Sequence, residues 1–119
     1  MAATVDPHYQ DRLQALRDKY AASVPERMAA IRAGLAQCQS GGLTPTNLEQ
    51  LHHALHGVAG SAGSFGLHVL GDEARRIEQM VRPMLVGETS GWEAIPVAVE
   101  ALLHWADKDF RAEKFAAHD

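Results

Sequence analysis

The chain has a single cysteine, Cys38, in 119 residues. No internal disulfide can form, so the fold must be held by packing, as suits a protein of the reducing cytoplasm. No apolar run approaches the roughly 18 residues that a membrane-spanning helix needs, so no membrane association is expected. The start, Met1-Ala2-Ala3-Thr4-Val5-Asp6-Pro7, lacks a basic stretch followed by an apolar one, and no secretory signal is expected. There is no basic block or stripe, and the net charge is −4, which disfavours nucleic acid as a partner. No segment reads convincingly as a strand, and there is no internal repeat or low-complexity stretch. Also missing are a serine or cysteine set beside a base and a phosphate-cradling loop leading out of a strand. The chain therefore lacks the machinery of a self-sufficient enzyme.

What is present is helical periodicity. A chain that is 46% hydrophobic and 22% charged fits one soluble domain over residues 1–119 with one core. Apolar spacing predicts five helical segments. The first runs from Pro7 to Ala22, with Asp6 as N-cap and Tyr9, Leu13, Leu16 and Tyr20 as its stripe. The second runs from Val24 to Gln39, with Ser23 and Glu26 at capping-box spacing and a stripe of Val24, Met28, Ile31, Leu35 and Cys38. Pro25 either separates these two or bends one long helix. The third begins at Thr44-Pro45 or at Thr46, with Leu48, Leu51, Leu55, Val58, Ala62 and Phe65 inward. After a turn at Gly66 the fourth covers Leu67–Val86, with Leu67, Leu70, Ala74, Ile77 and Val81 inward and Pro83 bending or ending it late. The last starts at Ser90, capped with Glu93, or at Pro96. It carries Ile95, Val99, Leu102, Ala106 and Phe110 and frays near Ala117. Short connections between amphipathic helices make antiparallel neighbours. The expected fold is all-α, an antiparallel up-and-down four-helix bundle with an additional N-terminal helix.

The third helix carries a chemical oddity, His56-Gly57-Val58-Ala59-Gly60-Ser61-Ala62-Gly63-Ser64-Phe65-Gly66-Leu67. Each glycine inside a helix costs roughly 0.5–1 kcal/mol relative to alanine. A helix that accepts several beside a histidine has reason to let something come close. At 100° per residue His56 falls about 130° from the centre of the apolar stripe, toward solvent. Ala59, Gly60 and Gly63 lie on the same side downstream, and His52 lies one turn upstream. A neutral imidazole is a nucleophile at pH 7. Bare and accessible on a rigid helix, it suits a group carrier whose partner supplies the catalysis.

These residues resemble the signature of the histidine phosphotransfer (HPt) family, H-x-L-K-G-S-x-G-T/S-F-G-F/L, and the resemblance extends over about residues 13–85. It implies a helical bundle whose histidine accepts a phosphoryl group from a receiver-domain aspartate or from a kinase and passes it to another receiver. The expected partners are response-regulator receiver domains or a hybrid sensor histidine kinase. Mg²⁺ and most catalytic groups would be theirs, with no metal or cofactor resident in this chain, which is expected to be a monomer; a free-standing carrier and a domain cut from a hybrid kinase both stay open. By the same resemblance His56 is the phospho-acceptor, while Ala59, Gly60, Gly63 and His52 meet the docked partner. Glu78 stands where the family has a Leu-Glu pair, and its carboxylate orients the imidazole through the other ring nitrogen. Where the family has lysine this chain has Ala59, and Arg75 or Arg76 is the candidate replacement. His53-Ala54-Leu55-His56-Gly57 offers a second register for the signature, but the His56 register matches at more positions. Two other readings stand beside this one. The first is a helical adaptor that binds receivers without transferring phosphate. The second is a metal-binding bundle using His52 and His56 at i, i+4, with His68, His104 or Glu73 as further ligands.

Overall fold

Residues 9–41 make one element where the apolar spacing allows two. In the computed structural model, which describes residues 7–115, helix α1 runs unbroken over Tyr9–Gly41 with Pro25 inside it. The separate N-terminal helix is corrected accordingly: among the described residues the bundle has four α-helices. The physical reason is that Tyr20, Val24, Met28, Ile31, Leu35 and Cys38 form one continuous buried stripe. Pro25 sits exposed beside that stripe, and burial on both sides offsets its cost of about 3 kcal/mol. Ser23 does not cap anything. Its Oγ donates to the Tyr20 carbonyl at 2.6 Å and accepts from Arg27 Nε at 2.8 Å. Asp6 lies outside the described residues, and His8 occupies the cap position without a side-chain capping hydrogen bond. Of the expected first stripe only Tyr20 is buried; Tyr9 and Leu16 are about half exposed. A helix of 33 residues is about 50 Å long, so its first turns outreach the shorter helices that would cover them.

Helix α2 spans Pro45–Ser61, and Thr44 accepts the Asn47 N–H at its N-terminus. Asn47 Nδ2 donates to the carbonyls of Gly42 and Gln37, which closes the turn from α1. After Ser61 the chain tightens into a 3-10 turn, Ala62–Phe65, and ends at Gly66 with φ 88°, a left-handed conformation that favours glycine. Helix α3 spans His68–Val81. As Pro83 requires, the chain then continues only as a 3-10 segment, Arg82–Val86. Helix α4 spans Ala94–Asp109. Ser90 is not its cap, since its Oγ bonds Glu88. The helix stops at Asp109, short of the expected fraying near Ala117, a residue outside those described. Trp105 turns inward and its Nε1 donates to the Lys114 carbonyl, pinning the following chain.

Each helix packs on its neighbour in sequence, and α4 closes on α1. The neighbours run antiparallel, as the pairings Gln37 with Asn47 and Tyr20 with Ser61 across α1–α2 require. All described regular structure is helical, and no helix among the described residues is long and apolar enough to cross a membrane. Two helices approach closely at Gly34, where an added Cβ would stand 2.9 Å from Leu51 Cα. Backbone, not a movable side chain, is in the way. Gly34→Ala is therefore expected to destabilise the protein by about 1–3 kcal/mol, measured by urea unfolding. An unchanged midpoint would show that the helices separate freely.

Candidate functional site

The seam between α2 and α3 holds Glu78, at 2% exposure the one buried charged residue among those described. A buried carboxylate is tolerated only when its oxygens are satisfied. Arg82 Nη2, one turn on, donates to Oε2 at 2.6 Å, and His52 Nε2 from α2 lies 2.9 Å from the same oxygen. Burial alone would push the Glu78 carboxyl up. The hydrogen bonds and charges of Arg82 and His52 outweigh it and hold the group below its ordinary value of 4.5.

The second oxygen faces the histidine that the sequence singles out. Glu78 Oε1 lies 3.6 Å from His56 Nδ1, within charge contact but longer than a hydrogen bond. The His56 side chain is 62% exposed. With Nδ1 turned to the buried carboxylate, Nε2 is the nitrogen left on the solvent side. The His52 and His56 rings stack at 5.8 Å with 17° between planes. One carboxylate thus serves two histidines, with the shorter contact going to His52.

The ground beside His56 is open. An added Cβ at Gly57 or Gly60 would meet nothing within 4 Å, so no contact inside this chain demands glycine at either position. Gly63 is different: it is half-buried, and its amide nitrogen lies 3.3 Å from a Cβ built on Gly71. Its backbone serves helix packing against α3. Ala59 is buried at 6% and does not offer the docking surface expected of it. At i+3 from His56 it turns back toward the α2 core stripe, and the side chain that a lysine would project is absent. Its carbonyl accepts instead from Arg75 Nη2 at 2.8 Å. Arg76 points elsewhere, pairing with Glu73 at 3.0 Å. Ser61 Oγ donates to the Gly57 carbonyl at 2.6 Å and bonds the Tyr20 hydroxyl at 2.8 Å. Tyr20 in turn stacks on Phe65 and lies under Arg27. The serine and phenylalanine of the signature thus anchor the end of α2 to α1.

His53 is exposed and outside this cluster. Of the further ligands considered for a metal, none joins His52 and His56; Glu78 does. Sequence reasoning missed Arg82 and the bond between His52 and Glu78. Arg82 was discoverable in principle, being i+4 from Glu78 on one helix. The approach of His52 required knowing how α2 and α3 align.

A family model described as Hpt domain matches residues 15–110. No curated protein and no solved structure gives a significant match.

Proposed function

The chain belongs to the Hpt domain family and so has a histidine phosphotransfer role in phosphorelay, and on that premise we propose that His56 is its phospho-acceptor, loaded from and discharged to receiver-domain aspartates. The observation that carries this reading is an exposed imidazole whose Nδ1 faces a buried, doubly held carboxylate. In the transfer, His56 Nε2 forms a bond to phosphorus as the bond to the aspartyl oxygen breaks. The reverse step regenerates the free imidazole. Positive charge grows on the ring as Nε2 bonds, and Glu78 compensates it through Nδ1–H. The 3.6 Å separation shortens to a hydrogen bond as that charge develops. Positioning and charge neutralisation supply most of the catalysis in phosphoryl transfer. A receiver that brings Mg²⁺ and its own polar groups needs only clear access, which Gly57 and Gly60 leave. The chain acts as a carrier and not as an enzyme in its own right.

The test is transfer from a panel of phosphorylated receiver domains to wild-type protein. Stable binding of a receiver with no label transferred would instead select the adaptor reading, which Ala59 in place of the family lysine favours. Arg75 answers that objection. Anchored on the Ala59 carbonyl, it brings a cation to the turn from which the lysine would extend. Arg75→Ala is expected to slow transfer about two- to tenfold, the range of a partly exposed charge. Arg76→Ala should leave it unchanged. Equal rates for both variants and wild type would remove Arg75 from the site.

Gly60 separates access from stability. Gly60→Ala should raise stability by about 0.5–1 kcal/mol, because the helix gains propensity and the methyl meets open space. Gly60→Leu should keep the fold and slow transfer several-fold by obstructing the partner. Transfer at the wild-type rate through a leucine would mean that docking approaches from another side.

A further inference from the structure

His52, His56 and Glu78 each offer a ligand atom, and these atoms all lie within 4.8 Å of one another. The separation between His56 Nδ1 and Glu78 Oε1, 3.6 Å, is long for a hydrogen bond. It is close to the ligand-to-ligand distance of a tetrahedral site with bonds of about 2.0–2.1 Å. Two imidazoles at i, i+4 share one helix face, and a carboxylate from the adjacent helix completes a three-ligand set. Arg82 occupies Oε2 and leaves Oε1 to face the gap. Two imidazoles and one carboxylate suit zinc and its neighbours, whereas Mg²⁺ prefers oxygen ligands and water. A fourth position stays open to solvent on the exposed side of His56.

We propose that His52, His56 and Glu78 form a site for a zinc-type divalent ion, and that its occupancy silences the histidine. Coordination takes the lone pair of His56 Nδ1 and moves that ring's proton to Nε2. His52 gives up its hydrogen bond to Glu78 Oε2, moves that proton to Nδ1 and binds through Nε2, while Arg82 stays on Oε2. No proton need be released and no bond to phosphorus is involved. Nε2–H of a metal-bound imidazole has no lone pair to attack phosphorus, so the ion blocks acceptance without covering the ring. The Mg²⁺ of a receiver does not compete for this site. The silencing half rests on His56 being the phospho-acceptor; the binding half does not.

Binding is measured first, by titrating the metal-free full chain with Zn²⁺ against a chromophoric chelator. One ion should bind per chain. Affinity should fall about tenfold or more in His52→Gln and in His56→Gln, both with wild-type circular dichroism, and stay unchanged in His53→Gln. Absent binding, or binding indifferent to His52 and His56, overturns the proposal. Silencing is read with phosphoramidate, a small phosphoryl donor that needs no receiver or Mg²⁺, by the mass shift localised to His56 by fragmentation, because His53 in the same peptide is also exposed. Zn²⁺ should suppress the shift in wild type. In His52→Gln, whatever its own rate, the ratio with and without Zn²⁺ should approach one. A shift insensitive to Zn²⁺ in a chain that binds the ion overturns silencing. Failure of the phosphotransfer reading looks different: in Zn²⁺-free buffer containing Mg²⁺, His56 stays unlabelled by every receiver, while the separate titration still shows zinc binding.

Discussion

His56→Gln is expected to reduce phosphoryl acceptance from any receiver to background, a loss of more than about a thousandfold, as when a nucleophile is removed. Glutamine approximates the size and polarity of the ring but has no lone pair on nitrogen able to bond phosphorus. The side chain is 62% exposed and its one close polar contact is at 3.6 Å. Stability should therefore stay within about 0.5 kcal/mol of wild type. That separation makes the result specific, because a folded protein that no longer accepts phosphate has lost chemistry and not structure. His53→Gln, one turn away by sequence and outside the cluster, is the paired control and should accept phosphate normally. The opposite pattern, with His56→Gln labelled and His53→Gln silent, would move the acceptor to the other register of the signature.

Glu78→Gln should affect stability and transfer together. The amide keeps the volume but loses the charge that Arg82 and His52 satisfy at 2.6 and 2.9 Å. Leaving those donors facing an amide in a site only 2% exposed should cost about 1–3 kcal/mol. Thermal unfolding should show it as a fall in Tm of about 4 °C or more. The acid dependence gives a sharper signature. Folding holds this carboxyl below its ordinary value of 4.5. The unfolded chain therefore takes up the proton first as pH falls. The stabilisation is complete above about 4.5 and is lost as pH drops through the lower folded value. In chelator-treated samples, the stability gap between wild type and Glu78→Gln should close toward acid. A gap that widened below pH 4 would contradict the assignment. Transfer should slow by about tenfold, equivalent to ~1.4 kcal/mol, because the ring loses the anion that compensates its growing charge. A variant with reduced Tm but unchanged transfer would leave Glu78 a structural residue alone.

Much of the bundle is legible in local spacing. Leu48, Leu51, Leu55, Val58 and Ala62 on α2, and Leu70, Ala74, Ile77 and Val81 on α3, are all buried as their periods require. The same rule places His56 outside. It fails where a residue's fate depends on a distant partner. Tyr9 and Leu16 share the period of Tyr20 yet remain exposed, because α1 outruns the helices that could cover it. Pro25 has the local character of a break, but buried contacts on both sides keep the helix whole. Ser23 and Ser90 have capping spacing without being at helix starts. Trp105 is buried by the chain that returns beyond α4, a fold-back that no period encodes.

The sequence by itself determined an all-helical chain, which faces of its helices turn inward, and a solvent-facing histidine among glycines with a family signature around it. These are properties of one helix at a time, set by 3.6 residues per turn and by side-chain chemistry. Only the tertiary structure decided who stands opposite whom. His52 and Glu78 are 26 residues apart and Arg75 and Ala59 are 16 apart. Their meeting depends on the register between α2 and α3. That register is held where α3 packs on the turn that ends α2, with no room for a side chain between Gly71 and Gly63, which periodicity within either helix does not specify. It put a shared carboxylate between two histidines, an arginine at the turn where the lysine is missing, and Ala59 in the core.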